Sequence, residues 1–257
     1  MNMALRKKKL KPNKENNDYY IFGLHAVKAA IENPNRIKHE LWLSQNAKAK
    51  IFSNMNVPSI PFFNLDKSTR LPISENKVHQ GAILKVSPLK QMTEVHVISK
   101  KRQRKLVVIL DKVSDPQNVG AIIRSCLFFN CDTIVNSRNG GSSENGSLVK
   151  AASGAFEQIS YIQVANIVQT IIKLKKNGYF IIGLDENSAD KISSIRKETS
   201  DIAFVFGAEG KGIRRLTKVH CDQLVSIDGN NNFSSLNVST AVGITLFNMQ
   251  SSSFKCV

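Results

Sequence analysis

Residues Leu106-Val107-Val108-Ile109-Leu110 form an unbroken apolar run closed by Asp111. Side chains of a strand alternate between its two faces, so such a run is tolerable only where both faces are covered. That is the situation of a central strand in a parallel sheet, and parallel strands need crossover helices. The residues that follow provide them. Helical spacing predicts helices over 121–129, beginning just after Gly120, over 147–155, over 167–177 with Gly178 as its cap, and over 238–250. Apolar runs between them predict strands at 132–135, 160–164, 179–184, 202–206 and 224–227. The alternation specifies an α/β domain over 105–257 with helices on both faces of the sheet.

The front of the chain repeats this texture on a smaller scale. Residues 1–18 are polar, rich in Lys and Asn and without period, which predicts a disordered basic tail. Tyr20-Ile21-Phe22-Gly23 is a short apolar lead-in. Leu24, Val27, Ala30 and Ile31 then recur at helical spacing until Pro34 stops them. Strands are expected at 40–43, at 60–63 around Pro61, and at 79–86 with Gly81 near its start. A short helix is expected over 47–54, and another is expected to begin at Leu65-Asp66-Lys67-Ser68. The result is a small α/β domain over 19–88. A polar and basic linker over 89–104 follows, with Val95-His96-Val97-Ile98 as a candidate ordered piece inside it.

The charge is lopsided. The 257 residues carry 36 Lys and Arg against 20 Asp and Glu, a formal +16. Residues 1–105 hold 21 of the basic and 7 of the acidic side chains, so the excess belongs to the front. A field of that sign draws in a polyanion, and nucleic acid is the expected partner. Solubility, or a solvated tail such as Arg6-Lys7-Lys8-Lys9, is the plainer alternative. With 42% hydrophobic residues the chain can bury a real core. No apolar run approaches the ~20 residues of a membrane span, and the basic N-terminus lacks the apolar stretch of a secretory signal. Cys126, Cys131, Cys221 and Cys256 form no C-x-x-C pair and no metal-like grouping with histidine. Reduced thiols in a cytoplasmic protein are the expectation, with no metal.

Three segments place polar groups or bare backbone at the end of an apolar run: Asp115-Pro116-Gln117-Asn118-Val119-Gly120 with Arg124 beyond it, Gly207-Ala208-Glu209-Gly210-Lys211-Gly212, and Ser234-Ser235-Leu236-Asn237-Val238-Ser239. Ligands of parallel α/β sheets gather at the carboxyl ends of strands and at adjoining helix N-termini. Asn118 suits capping or ligand orientation just outside a helix, and Arg124 lies about one turn further in. A turn residue and a surface cation are the bland readings of the two. The second segment is neither a Walker A loop nor a G-x-G-x-x-G fingerprint. Its glycines allow a close ligand or merely a tight turn, and Glu209 is its one carboxylate. Ser235 or Asn237 suits a helix cap.

Taken together, in this order, the three segments resemble the motifs of the SpoU family of RNA ribose 2′-O-methyltransferases. Residues 19–257 are similar to the members that methylate a guanosine 2′-hydroxyl in large-subunit (23S) rRNA. Ile21-Phe22-Gly23-Leu24-His25-Ala26-Val27 and Val78-His79-Gln80-Gly81 resemble the two ends of the family's L30e-like RNA-binding domain. The resemblance implies an α/β trefoil-knotted SPOUT methyltransferase domain behind that N-terminal domain, S-adenosyl-L-methionine as cofactor, 23S rRNA as substrate and a homodimer as the active form. It assigns cofactor contacts to Gly207, Ile227 and Leu236, and catalytic polar positions to Asn118, Arg124, Glu209, Ser235 and Asn237. Arg124 matches the group proposed in the family to activate the hydroxyl. Because a guanidinium is normally always charged, phosphate anchoring and stabilisation of a developing alkoxide suit it better than base action.

One departure stands out. Ile227-Asp228-Gly229 replaces the usual Ile-Pro-Met of the family and adds a negative charge near the expected cofactor. It bears on cofactor affinity and supports one alternative, an RNA-binding ribosome-assembly protein without turnover; a second alternative, independent of this loop, is the same fold acting on tRNA.

Overall fold

A computed structural model describes residues 17–53, 59–66, 68–93, 105–131, 133–195, 201–229 and 236–250. Two sheets organise them. The front lobe runs β1 (Tyr19–Phe22), α1 (Leu24–Glu32), β2 (Lys38–Leu43), α2 (Gln45–Ile51), β3 (Phe62–Asn64) and β4 (Ala82–Val86). Its strands lie in the order β1-β4-β2-β3, with β4 antiparallel to both neighbours and β3 parallel to β2. Alternate residues Ile21, Leu41, Leu43, Leu84 and Val86 turn inward. They share one apolar cluster with Val27, Ala30 and Ile31 of α1 and Ala47 and Ile51 of α2. Burial of each Val, Leu or Ile among them contributes about 1.5–3 kcal/mol relative to exposure.

The second lobe runs β5 (Leu106–Asp111), α3 (Pro116–Phe128), β6 (Thr133–Ser137), α4 (Gly146–Ala151), β7 (Ser160–Val164), α5 (Ile167–Lys176), β8 (Phe180–Leu184), β9 (Ile202–Gly207), α6 (Arg215–Val219), β10 (Gln223–Val225) and α7 (Val238–Gln250). The strand order is β10-β8-β9-β5-β6-β7, and every pair is parallel. The period of two sorts β5 and β9 between two cores. Val108, Leu110, Phe204 and Phe206 join Ile122, Ile123, Val242 and Leu246 on one face. Val107, Ile109, Ala203 and Val205 join Ile167, Ile171 and Leu174 on the other. The apolar run 106–110 is thus covered on both faces. Residues 196–200 and 230–235 of this lobe lie outside the described residues, and the trefoil threading stays what the resemblance implies.

The lobes are docked through a buried ionic cluster. The Arg36 guanidinium, after α1, lies 2.6 Å from Glu144 Oε1 and 2.6 Å from Glu157 Oε1 of the second lobe. Asn33 Nδ2 donates to Glu157 at 2.7 Å and the Tyr19 hydroxyl to Glu144 at 2.6 Å. Burial, then the Glu144 charge, pushes the Tyr19 hydroxyl far above its usual range, so it stays a donor.

Some local expectations change. Leu65 to Ser68 is not helical among its described residues: the Asp66 carboxylate accepts from Ser68 N and from the Ser68 and Thr69 hydroxyls, which closes a turn instead. The strand expected from His79 begins at Ala82, because Gln80 (φ 54°) and Gly81 (φ 76°) are left-handed. The helix over 147–155 ends at Ala151, and a 3₁₀ turn, Ala155–Glu157, follows a left-handed Gly154. Asp18, assigned to the basic tail, accepts from the Ser87 hydroxyl at 2.7 Å. Residues 1–16 and Val95-His96-Val97-Ile98 lie outside the described residues. Among the described residues no helix is long and apolar enough to cross a membrane.

Candidate active site

The site starts where β5 ends. Asp115 caps α3, its carboxylate accepting from Gln117 N and Asn118 N at 3.3 and 3.0 Å. Pro116, with φ preset and no N–H to orphan, takes the first helical position. Asn118 is therefore inside the first turn of α3, not outside a helix that begins after Gly120. The glycine that suggested a boundary serves packing: a Cβ there would collide with Ala151 of α4.

β9 ends at Gly207, and Gly212 N closes the next turn on Ala208 O at 2.8 Å. Gly210 and Gly212 have φ of 72° and 61°, and a Cβ on Gly207 would strike the Gly212 backbone. The glycines are thus required by the turn itself, which leaves its outer side bare and carries Glu209 exposed at its tip. Asn237 sits before α7, its Oδ1 accepting from Ser239 N at 2.9 Å and Ser239 Oγ at 2.6 Å.

These three elements converge. Asn118 Nδ2 donates to Glu209 Oε1 at 2.8 Å. Asn237 Nδ2 donates to the same oxygen at 3.0 Å and to Asn118 Oδ1 at 2.8 Å. The cluster consumes one carboxylate oxygen. Among the described residues Glu209 Oε2 has no hydrogen-bond partner, so it remains free to accept one.

A residue the motifs did not single out holds this arrangement from behind. Asp111, fully buried at the end of β5, accepts from Arg214 Nε at 2.7 Å, Arg214 N at 3.3 Å and Thr217 Oγ1 at 2.8 Å. It ties the segment leaving the Gly207–Gly212 turn to β5, the strand that leads into α3 and Asn118. Its signal in the sequence was a carboxylate closing an apolar strand. A buried charge of that kind needs a partner.

Arg124 stands apart. Six residues beyond Asn118, it lies about 9 Å along the helix and ~120° around it. It is exposed, and among the described residues it makes no ion pair or hydrogen bond. Its neighbours on α3, Ala121 and Ser125, line a groove between α3 and α7 together with Phe129, Thr240, Gly243 and Phe247. Phe128 (79% exposed) and Phe247 (61%) rise beside that groove. Ser235 lies outside the described residues.

The expected cofactor positions lie on one edge of the sheet. Because β8 separates β9 from β10, Gly207 and Ile227 flank a span of ~10 Å at the carboxyl ends of the strands. Ile227 is half-buried and Leu236 half-exposed at 48%. Bare backbone at the turn and apolar surface on either side suit the polar and flat parts of a nucleoside cofactor. Asp228, the added charge, is mostly exposed and lies 3.5 Å from Lys191 Nζ, so it has a cation beside it. Among the described residues no group of His, Cys, Asp and Glu could hold a metal ion.

Residues 105–247 match the SpoU rRNA Methylase family, and residues 20–92 match the RNA 2′-O ribose methyltransferase substrate binding family. The chain is 33% identical over 234 residues to the 23S rRNA (guanosine-2′-O-)-methyltransferase RlmB of Haemophilus ducreyi, covering 88% of this chain and 95% of that protein. The corresponding enzyme of Escherichia coli K12 is 33% identical over 233 residues, covering 88% and 96%. The AdoMet-bound rRNA methyltransferase of Sinorhizobium meliloti superposes with a TM-score of 0.77 at 18% identity, over 93% of this chain and 88% of that one. The SpoU methyltransferase AviRb of Streptomyces viridochromogenes gives 0.76 at 16%, over 92% and 91%. At such identities the superpositions show the shared fold.

Proposed function

The chain belongs to the SpoU rRNA methylase family, and on that premise we propose that it methylates a ribose 2′-hydroxyl, that of a guanosine in 23S rRNA, from S-adenosylmethionine. The observation that carries this reading is the hydrogen-bonded cluster of Asn118, Glu209 and Asn237, drawn from three segments onto the carboxyl edge of a parallel sheet. S-adenosylmethionine, when bound, supplies the electrophilic methyl group. Gly207, Ile227 and Leu236 would hold it by backbone and apolar surface.

The remaining work falls to the chain's own side chains. The acceptor oxygen must be brought in line and relieved of its proton, and orientation alone can lower such a barrier by up to about 7–11 kcal/mol. The cluster fixes α3, the Gly-rich turn and the start of α7 against one another, and offers Glu209 Oε2 to the incoming ribose. A guanidinium is normally always charged, which suits Arg124 to anchoring phosphate and to stabilising charge developing on the 2′-oxygen.

Arg124 does not reach its own cluster, and its neighbours Ala121 and Ser125 line the apolar groove of α3 and α7. The family resemblance implies that a second copy covers that groove, with Arg124 of each protomer serving the cofactor site of the other. The active form is then a homodimer, acting on ribosomal RNA in the cytoplasm. Exposed Phe128, Ile244 and Phe247 form the apolar centre that such an interface requires. The test is methyl incorporation from labelled S-adenosylmethionine into unmodified 23S rRNA, alongside sedimentation of the protein. Absence of incorporation into rRNA that the protein still binds would favour the assembly-factor reading. A monomer would overturn the shared site.

A further inference from the structure

The short helix α4 is packed by the front lobe on one side and by the catalytic helix α3 on the other. Gly146 at its start lies so close to the Tyr20 carbonyl and the Phe22 ring that a Cβ would not fit. Ala29 of α1 packs against Gly154, just beyond its end. Ile21, Val27 and Ala30 of the front lobe share one apolar cluster with Val149, Ala152 and Phe156. Towards α3, Ala151 fills the space left by Gly120, which follows Asn118 by two residues. The front lobe and the helix that carries Asn118 are therefore joined through α4.

Arg36 grips α4 from both ends. Its Nη1 donates to Glu144 Oε1 at 2.6 Å, just before the helix starts. Its Nη2 and Nε donate to Oε1 and Oε2 of Glu157 at 2.6 and 3.1 Å, in the 3₁₀ turn that follows. All three side chains are buried. Nη1 also donates to Ser87 O at 3.0 Å and Leu89 N to Glu144 Oε2 at 3.2 Å, so the chain leaving the front lobe is tied at the same point. A buried ion pair adds little net stability over apolar packing, because desolvation offsets its Coulomb energy. It does set orientation, since a planar fork meets two carboxylates in few placements. Lobes joined by a linker move relative to one another by default. Here the shared core and the fork remove that freedom.

We propose that Arg36 is a positioning residue for methyl transfer. By clamping α4 to the front lobe it fixes the distance between RNA held there and the Asn118–Glu209–Asn237 cluster, and so selects which ribose is methylated. RNA gripped by the front lobe then offers the site only the 2′-hydroxyl at that spacing. The substrate such a device fits is a folded RNA, with an anchoring element at a set distance from its target. Misplacing a reacting group by about 1 Å can cost about 100-fold in rate, so a clamp remote from the chemistry bears on it. The inference rests on the proposed reaction on rRNA; the clamp itself does not require turnover.

Arg36→Ala in the full-length protein leaves two buried carboxylates without their cation. On unmodified 23S rRNA it is expected to lower kcat per bound cofactor about 10- to 100-fold while KM stays within about twofold. Reverse transcription should then stop at riboses that the parent leaves unmodified. Arg36→Lys, which keeps the charge and loses the fork, should recover part of the rate and of the selectivity. Should Arg36→Ala fail to fold, Tyr19→Phe with Asn33→Ala loosens the same clamp and leaves Arg36 in place, with the same changes expected on a smaller scale. A purely structural role predicts a lower denaturant midpoint, with the rate per bound cofactor and the pattern of stops unchanged; that result overturns the proposal while the reaction stands. If the parent transfers no methyl group, the proposed reaction falls and small-angle scattering decides the clamp. A broader distance distribution in the variant than in the parent upholds it, and superimposable curves overturn it.

Discussion

Asn118 Nδ2 and Glu209 Oε1 meet at 2.8 Å, joining residues 91 positions apart across the carboxyl ends of β5 and β9. Asn237 then donates to both partners. A closed set of this kind acts as a unit. Asn118→Ala or Asn237→Ala is expected to lower kcat/KM about 100-fold by misplacing the turn. The double variant should fall by less than the product of the two losses, with a coupling of about 0.5–3 kcal/mol. Strictly multiplicative losses would mean that the contacts are incidental.

Arg124→Ala should abolish methyl transfer while cofactor binding by calorimetry stays within a fewfold of the parent. If the arginine works across a dimer, mixing Arg124→Ala with a variant impaired at the cofactor turn, Gly207→Ala, restores part of the activity in mixed dimers. Failure to complement, in mixtures shown to exchange subunits, would place Arg124 in its own protomer's site.

Asp111 is the buried support of that site, and its removal should be felt as stability. Asp111→Ala leaves the buried Thr217 hydroxyl and the Arg214 amide without an acceptor. A loss of about 3 kcal/mol is expected, at the low end for a broken buried pair because Arg214 is half exposed. A denaturant midpoint within error of the parent would contradict it.

The Cys221 thiol, held mainly by burial and then by the Asp222 charge, is pushed up to about 12. Since alkylation needs the thiolate, native Cys221 should react with iodoacetamide at pH 8.5 roughly a thousandfold more slowly than in the unfolded chain, followed by peptide mapping. The folded value is the raised one, so this contribution to stability is full below the ordinary thiol range. It declines as pH rises from about 9 to about 12. Stability that increased with pH over that window would reverse the assignment.

Much of this fold is legible because it rests on local pattern. The run 106–110 demands two covered faces, and Leu24, Val27, Ala30 and Ile31 mark one stripe of α1. Asn118, Glu209 and Asn237 were recognisable as a group because their motifs occur together, although nothing local says that they touch. What stayed hidden depends on distant partners. Gly120 mimics a helix boundary, yet it is small to admit Ala151. Arg36 finds Glu144 and Glu157 more than a hundred residues away, which no periodicity encodes. Asp111 likewise finds Arg214 only once β5 and β9 have paired.

The central claim is tested most directly by transfer of labelled methyl from S-adenosylmethionine to unmodified 23S rRNA, with the modified position mapped by ribose-methylation-sensitive reverse transcription. One stop at a single guanosine, lost in the Asn118→Ala and Glu209→Gln variants, is the expected result. No incorporation into rRNA that the protein demonstrably binds would contradict the account.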